Sequence, residues 1–373
     1  MLEPEPTEDL GSHSDNLNEN QYPIGPISNS HTSNYHFDSI SKPYLSILVT
    51  EAFVTLATSN EYAVGAMVLA ASLRHTKTNK KIVCMVTNTV DNPIVEVVRQ
   101  AFDEVVMVDV LDSRDEENLK LLKRIDLGVT FTKLHCWRLK QYTKCVFMDA
   151  DTMVIQNIDD MFKGEEITAA PDPGWPDCFN SGVFVFTPSL DTYRALLDFA
   201  LKEGSFDGGD QGLLNAFFPH WRVQGAKHRL PYTDNCCTHT FYTYLPALKN
   251  FGWSVRVIHF IGQNKPWKYS INKHTGGLNI REYIDPQSLR FLNLWWHYFL
   301  TEVQPQIKSF WTGRVGELAQ MEVTHGPIVN MQRDPSPPGK SMAKWERGEI
   351  DYTESERFEK IKEKLEKSLE KKK

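Results

Sequence analysis

The chain has 373 residues, 41% hydrophobic and 11% aromatic, enough for one large α/β domain with tails or for two modest domains. Its formal net charge of -7 argues against nucleic acid as the main partner, which would call for a basic surface. No apolar run approaches the ~20 residues of a membrane span, and the start, Met1-Leu2-Glu3-Pro4-Glu5, lacks the basic and apolar regions of a signal peptide.

Residues 1 to about 47 are rich in Ser, Asn, Pro and His, with apolar residues scattered singly, so the expectation is a disordered leader. The fold begins at the β-branched strand Ala52-Phe53-Val54-Thr55-Leu56. The small-residue turn Ala57-Thr58-Ser59-Asn60 follows, then a helix over about Glu61 to His75 with Tyr62, Met67, Leu69, Ala70 and Leu73 on its apolar stripe. Such a turn leaves backbone N–H groups facing a ligand. A strand at Ile82–Val86, a helix at Pro93–Phe102 and a strand at Glu104–Val110 continue the alternation. The predicted class is therefore α/β, a mainly parallel sheet with helices on both faces and ligands outside the carboxyl ends of the strands.

The span Thr130 to Tyr142 reads as a helix carrying Lys133, either a solvated lysine or a phosphate ligand. The apolar run Lys144-Cys145-Val146-Phe147-Met148 then ends in Asp149-Ala150-Asp151. On a strand the two carboxylates point to one side, and they repel unless a cation sits between them. Hard oxygen ligands of this kind suit Mg²⁺ or Mn²⁺, with open positions for a diphosphate. The alternative is that one Asp caps a helix while the other is solvated.

Next comes a turn-rich loop, residues 169 to 182, whose Asn180 and Ser181 offer hydrogen bonds of the kind a sugar needs. The segment Phe206-Asp207-Gly208-Gly209-Asp210-Gln211 allows close backbone approach to a small ligand, or is a turn with Asp210 capping a helix over Leu213 to Phe218. Tyr242 and Tyr244 share a face if extended, although core tyrosines are the ordinary reading. The strand Val255–Gly262 carries His259, a credible third ligand for the carboxylate pair. An aromatic helix spans about Phe291 to Leu300.

The six cysteines (Cys84, Cys136, Cys145, Cys178, Cys236, Cys237) include no CxxC pair. That favours buried free thiols in a reducing compartment over structural zinc, with the cytoplasm as the expected location. Proline and polar residues from about Gly326 to Met342 read as a linker. In the tail, Thr353 and Glu356 form a capping box, and Phe358, Ile361, Leu365 and Leu369 share one helical face, suited to a partner's groove or to docking on the chain's own domain. The expected organisation is a leader at 1–47, a catalytic domain at 48–310, a linker at 311–343 and a helical tail at 344–373.

Taken together, Asp149-Ala150-Asp151, the run from Ala170-Pro171-Asp172 to Asn180-Ser181-Gly182, Phe206–Gln211, Tyr242-Thr243-Tyr244-Leu245-Pro246-Ala247 and Lys265-Pro266-Trp267 resemble the glycogenin family. The resemblance covers about Ala52 to Trp267 and resumes at Trp345-Glu346-Arg347-Gly348, Phe358, Ile361 and Leu365, similar to the segment by which glycogenins recruit glycogen synthase. It implies a type A, Rossmann-like nucleotide-sugar glycosyltransferase fold, and Mn²⁺-dependent retaining transfer of glucose from UDP-glucose, with Mg²⁺ as a substitute ion. By resemblance, Asp149, Asp151 and His259 bind the metal, and the Leu56, Thr58, Ser59, Tyr62 turn holds uracil and ribose. Ser59 departs from the family's Asn. Lys133 and Lys265 lie near the diphosphate, Arg124 near the nucleotide, and Ala150, Ser181 and Gly262 line the donor site. Asp172, Asn180, Asp207, Asp210 and Gln211 contact glucose or acceptor, and Tyr242 is the acceptor tyrosine. The resemblance also implies a homodimer and a nascent glucan bound to the protein, while charge and hydropathy argue for no nucleic acid and no membrane partner. Rival readings are a same-fold transferase with an external acceptor, a non-catalytic scaffold for glycogen synthase, and a two-carboxylate glycosidase.

Overall fold

The computed structural model describes residues 50–121, 125–174, 176–237, 250–272, 274–280, 284, 286–310 and 312–322. The expected leader, most of the linker, the tail, Arg124, Tyr242 and Tyr244 lie outside the described residues.

Two sheets organise the domain. The larger has six strands in the order β3-β2-β1-β4-β7-β6: β1 (Glu51–Ala57), β2 (Lys81–Thr87), β3 (Glu104–Val108), β4 (Lys144–Met148), β6 (Thr168–Pro171) and β7 (Phe179–Phe186). The first four run parallel, while β7 and β6 are antiparallel additions at one edge. The smaller sheet has the order β5-β9-β8, with β5 at Thr152–Val154, β8 at Cys236–Cys237 and β9 at Val257–His259. The strand expected over Val255–Gly262 is thus only three residues long.

Alternation along β4 shows why the large sheet is covered on both sides. Val146 and Met148 join one apolar core, with α1 (Asn60–His75) and α2 (Asn92–Ala101), while Cys145 and Phe147 join a second, with α4 (Leu190–Lys202) and α5 (Asp210–Phe217), the short α3 (Glu116–Leu121) following β3 in the chain. α1 is continuously buried from Ala63 to Ala70, because the second sheet and the C-terminal helices close over it. Ser72 fastens that contact: its hydroxyl donates to Leu69 O (2.8 Å) and accepts the Val154 N–H of β5 (3.0 Å). Gly65 is required here, since a Cβ would lie 2.5 Å from the Trp267 ring and 2.7 Å from Ala150 O.

The aromatic helix, α6 (Pro286–Tyr298), buries Trp295 and Trp296 fully and runs on through one wide turn at Phe299–Val303. Pro305 follows, and its missing N–H fits an irregular ladder at that point. The helix Gly313–Ala319 also packs on the core through Val315, Leu318 and Ala319, and Arg314 donates to Trp267 O at 2.8 Å. The packed chain therefore continues past residue 310, the expected end of the catalytic domain.

The span expected as a helix over Thr130–Tyr142 is a series of tight 3₁₀ turns over Ile125–Arg138. Its Thr132 hydroxyl bonds the Leu111 backbone at 3.0 Å instead of serving the helix. All six cysteines are free, and five are buried. Among the described residues no helix is long and apolar enough to cross a membrane.

Candidate active site

The sheet order places the site. After β3 the chain returns to the other side of β1, so β1 and β4 diverge at a topological switch point, where a crevice opens at their carboxyl ends. The Thr58-Ser59 turn leaves β1 there and Asp149 leaves β4. β7 runs the opposite way, so its first residues, Phe179, Asn180 and Ser181, start where β4 ends; the Asp149 N–H donates to Gly182 O at 2.8 Å.

Asp149 and Asp151 are not on one strand. β4 ends at Met148 and β5 begins at Thr152 in the other sheet, so both carboxylates sit in the turn between sheets. The Thr152 N–H and hydroxyl both bond Asp149 O, at 2.9 and 2.7 Å, and fix that turn. It is this turn, rather than strand alternation, that puts the carboxylates together. His259 comes to them because β9 pairs with β5 in the register Thr152↔His259.

One ligand atom from each of Asp149, Asp151 and His259 lies within 4.8 Å of the others. Two carboxylate oxygens and one imidazole nitrogen, with Asp149 part exposed, fit a hard divalent cation with open positions. His259 Nε2 lies 3.4 Å from Asp151 Oδ1, and Lys265 is ion-paired to Asp151 while donating to Phe260 O at 3.2 Å. On the other side, buried Lys133 lies 3.0 Å from Asp149 Oδ1 and 2.5 Å from Asp210 Oδ2, and donates to Ser181 O at 3.1 Å. The cluster is thus internally neutralised, acid by base.

The acid–base state follows from this pairing. Burial, reinforced by the Asp151 charge, pushes Asp149 up to about 6, with Lys133 pulling the other way. Burial also works to raise Asp151, but Lys265 and His259 hold it well below the usual carboxylate range. For His259, burial disfavours the imidazolium, yet Asp151 lifts it to about 10. Burial likewise opposes the charge on Lys133, and Asp149 and Asp210 more than compensate, raising it above its ordinary value.

The glycine-rich segment delivers Asp210 without a capping role. Gly209 takes the cap position of α5 and Asp210 is the first helical residue, its N–H donating to Thr130 Oγ1 at 3.1 Å. Asp207 holds the turn: its Oδ1 accepts from Ser205 Oγ, Gly209 N and Gly212 N at 2.8, 2.9 and 3.0 Å, with Gly208 at φ +76°. That oxygen is therefore engaged with its own loop.

Gln211 accepts the Ser181 N–H at 3.2 Å and donates to Asp172 Oδ2 at 3.2 Å, and Asn180 donates to the same oxygen at 2.8 Å. At the nucleotide turn, Ser59 caps α1 by accepting the Tyr62 N–H at 3.3 Å while its hydroxyl donates to Glu61 at 2.8 Å. Tyr62 meets the Trp267 ring edge-on at 5.1 Å, Leu56 is half-buried, and Gly262 has φ +96°. Asn235 and Thr130 belong to the site but carry no signal in a single sequence, since neither stands in a motif and their contacts are long-range.

Residues 53–170 and 161–270 match the family described as Glycosyl transferase family 8. The chain is 46% identical over 331 residues to glycogenin-1 of Mus musculus, covering 85% of this chain and 98% of that one. It is 54% identical over 228 residues to glycogenin-1 of Caenorhabditis elegans (61% and 53% covered) and 48% over 267 residues to glycogenin-2 of Homo sapiens (70% and 53%). The family match, with these identities, is decisive, and the cation-fitting cluster at the switch point agrees with it: the chain belongs to glycosyl transferase family 8 and, within it, to the glycogenins.

Proposed function

We propose that this enzyme transfers glucose from UDP-glucose, with retention, to its own Tyr242 and then extends a short α-1,4-glucan that primes glycogen synthesis. The observation that carries this reading is the convergence of Asp149, Asp151 and His259 beside the buried Lys133–Asp210 pair, in a chain 46% identical to a glycogenin. Asp149, Asp151 and His259 would hold Mn²⁺, with Mg²⁺ as a substitute. The bound ion would neutralise charge that grows on the diphosphate as the sugar leaves.

The chain's own residues divide the remaining work. Lys133 and Lys265 are buried cations held against Asp149 and Asp151, and in that water-poor site they would stabilise the diphosphate charge. The Leu56, Thr58, Ser59, Tyr62 turn, Arg124, Ala150 and Gly262 would hold the nucleotide. Asp172, Asn180, Ser181, Asp207 and Gln211 would orient glucose. Retention requires a carboxylate on the face opposite the leaving group, or acceptor attack from the leaving side; Asp210 is the buried carboxylate this site offers for the first. A phenol of pKa ~10 must lose its proton during attack, to Asp210 or to the departing phosphate oxygen. A homodimer would let one subunit's Tyr242 reach the other's site. The tail, through Trp345, Phe358, Ile361 and Leu365, would recruit glycogen synthase in the cytoplasm, and the nascent glucan stays attached.

Incubation with UDP-glucose and Mn²⁺ followed by intact-mass measurement tests the reading. A ladder of hexose additions is expected, absent in Tyr242→Phe. A ladder that persists in that variant removes Tyr242 as the primary acceptor, and modification of an added acceptor without any ladder favours an external-acceptor transferase.

A further inference from the structure

One buried amide outside the motifs connects the two halves of the site. Asn180 Nδ2 donates to the Asp172 carboxylate at 2.8 Å, and its Oδ1 accepts the Gly182 N–H at 2.9 Å. A carboxylate only accepts and a backbone N–H only donates, so both ends of the Asn180 amide are assigned by chemistry. The Asn235 amide meets Asn180 Oδ1 at 2.8 Å, and must present its Nδ2 there. Its Oδ1 is thereby turned to His259 Nδ1, also at 2.8 Å. Facing an obligate acceptor, Nδ1 must carry a hydrogen, so Nε2, on the side where Asp151 stands, is the nitrogen that would give up its proton and offer a lone pair to a cation. Asn180, Asn235 and His259 are all at least 97% buried, so water does not substitute for any link.

We propose that Asn235 is a positioning residue: it fixes His259 as the Nδ1–H tautomer, with Nε2 aimed at the cation, and through Asn180 couples that ligand to the sugar-side carboxylate Asp172. The proposal rests on the reading of Asp149, Asp151 and His259 as a metal site. A metal-ligating histidine gains orientation and basicity from such a partner, and removal of the partner typically weakens metal affinity about 10–100-fold. The rest of the packing agrees. A Cβ on Gly182 would lie 2.3 Å from His259 Cε1 and 2.9 Å from Asn180 Oδ1, so the backbone of β7 presses on both members of the relay.

The test measures Mn²⁺ affinity of the full chain by the electron paramagnetic resonance signal of the free ion, below the melting temperature, together with the KM for UDP-glucose. Asn235→Ala is expected to bind Mn²⁺ about 10–100-fold more weakly. Asn235→Asp keeps an acceptor for Nδ1 but loses the donor to Asn180, so it should retain Mn²⁺ affinity while its KM for UDP-glucose rises. A merely structural role would not separate those two readouts. Wild-type affinity in a folded Asn235→Ala, or loss in Asn235→Asp equal to that in Asn235→Ala, overturns the proposal. If Asn235→Ala does not fold, Asn235→Asp decides alone, loss of Mn²⁺ binding counting against the proposal. Failure of the underlying metal reading shows separately, as unchanged Mn²⁺ binding in Asp151→Asn.

Discussion

Lys133 and Asp210 form a 2.5 Å ion pair with 3% and 8% of their side chains exposed, although tight turns supply one and a helix start the other. The same ammonium touches Asp149 at 3.0 Å, so one cation neutralises an acid from each side of the crevice. Lys133→Ala should lower the transfer rate by about 10²–10³. Leaving its buried partners unpaired should destabilise the fold by roughly 3–5 kcal/mol. Single-turnover transfer and thermal melts check both, and a Lys133→Ala/Asp210→Asn double variant should lose less stability than the two single losses combined.

Cation binding should depend on pH with a definite sign. Asp149 is raised to about 6, so below that pH a proton occupies the carboxyl and competes with the ion, whereas above it the ligand is free. Mn²⁺ affinity is expected to fall most steeply as pH drops below 6 and to keep rising above it toward the His259 value of about 10, since that imidazolium must also lose a proton to ligate, and chelation should abolish transfer at every pH. Calorimetric titrations at several pH values measure this; a flat profile would contradict the assignment of Asp149 as a ligand.

Gly182→Ala should weaken metal binding without touching a ligand. The added methyl would stand 2.3 Å from His259 Cε1 and 2.7 Å from Nδ1, forcing the ring out of its present place beside Asp151. An Mn²⁺ affinity equal to wild type in a folded variant would show that the ring has room to give.

Glu166 offers a stability test away from the site. Its Oε1 accepts from Trp137 Nε1 at 2.6 Å and Thr187 N at 3.4 Å, and burial raises its pKa above the ordinary glutamate value. A folded pKa above the unfolded one means the folded state holds the proton more tightly, so stability falls as pH rises from the unfolded to the folded value. Glu166→Gln keeps the acceptor and removes the charge. It should melt higher than wild type at neutral pH, with the advantage vanishing in acid.

Fold class was legible because hydrophobic alternation and helix stripes are local: β1, α1, β2 and α2 stand close to where their patterns put them. The acidic pair was legible as chemistry, since two carboxylates ending an apolar run are conspicuous, and His259 as a ligand type near a second run. Their geometry was not. A sequence read along one strand put Asp149 and Asp151 on a common face, whereas a change of sheet at Ala150 brings them together. The 3₁₀ turns around Lys133 escaped notice because side-chain bonds such as Thr132 to Leu111 compete with a helix only once the tertiary fold exists. Asn235 was illegible for the same reason, its meaning lying in two partners, Asn180 and His259, that are distant in the chain.

Removal of residues 344–373 is expected to leave self-glucosylation intact and to abolish glycogen synthase pull-down. Capture of the synthase by the truncated chain would place that interaction elsewhere.

The antiparallel entry of β7 has a consequence for redesign. The Asp172 N–H bonds Cys178 O at 2.9 Å, closing the base of the loop between β6 and β7, while the ladder from Met148↔Val183 onward locks the strand behind it. A loop closed at its base in this way can be exchanged without cutting the ladder. Grafting other sequences into residues 173–177 would change what the sugar-side opening admits. Exchange of the loop would then reach the cation ligands through Asp172, the residue at its base to which the Asn180–Asn235–His259 relay is tied.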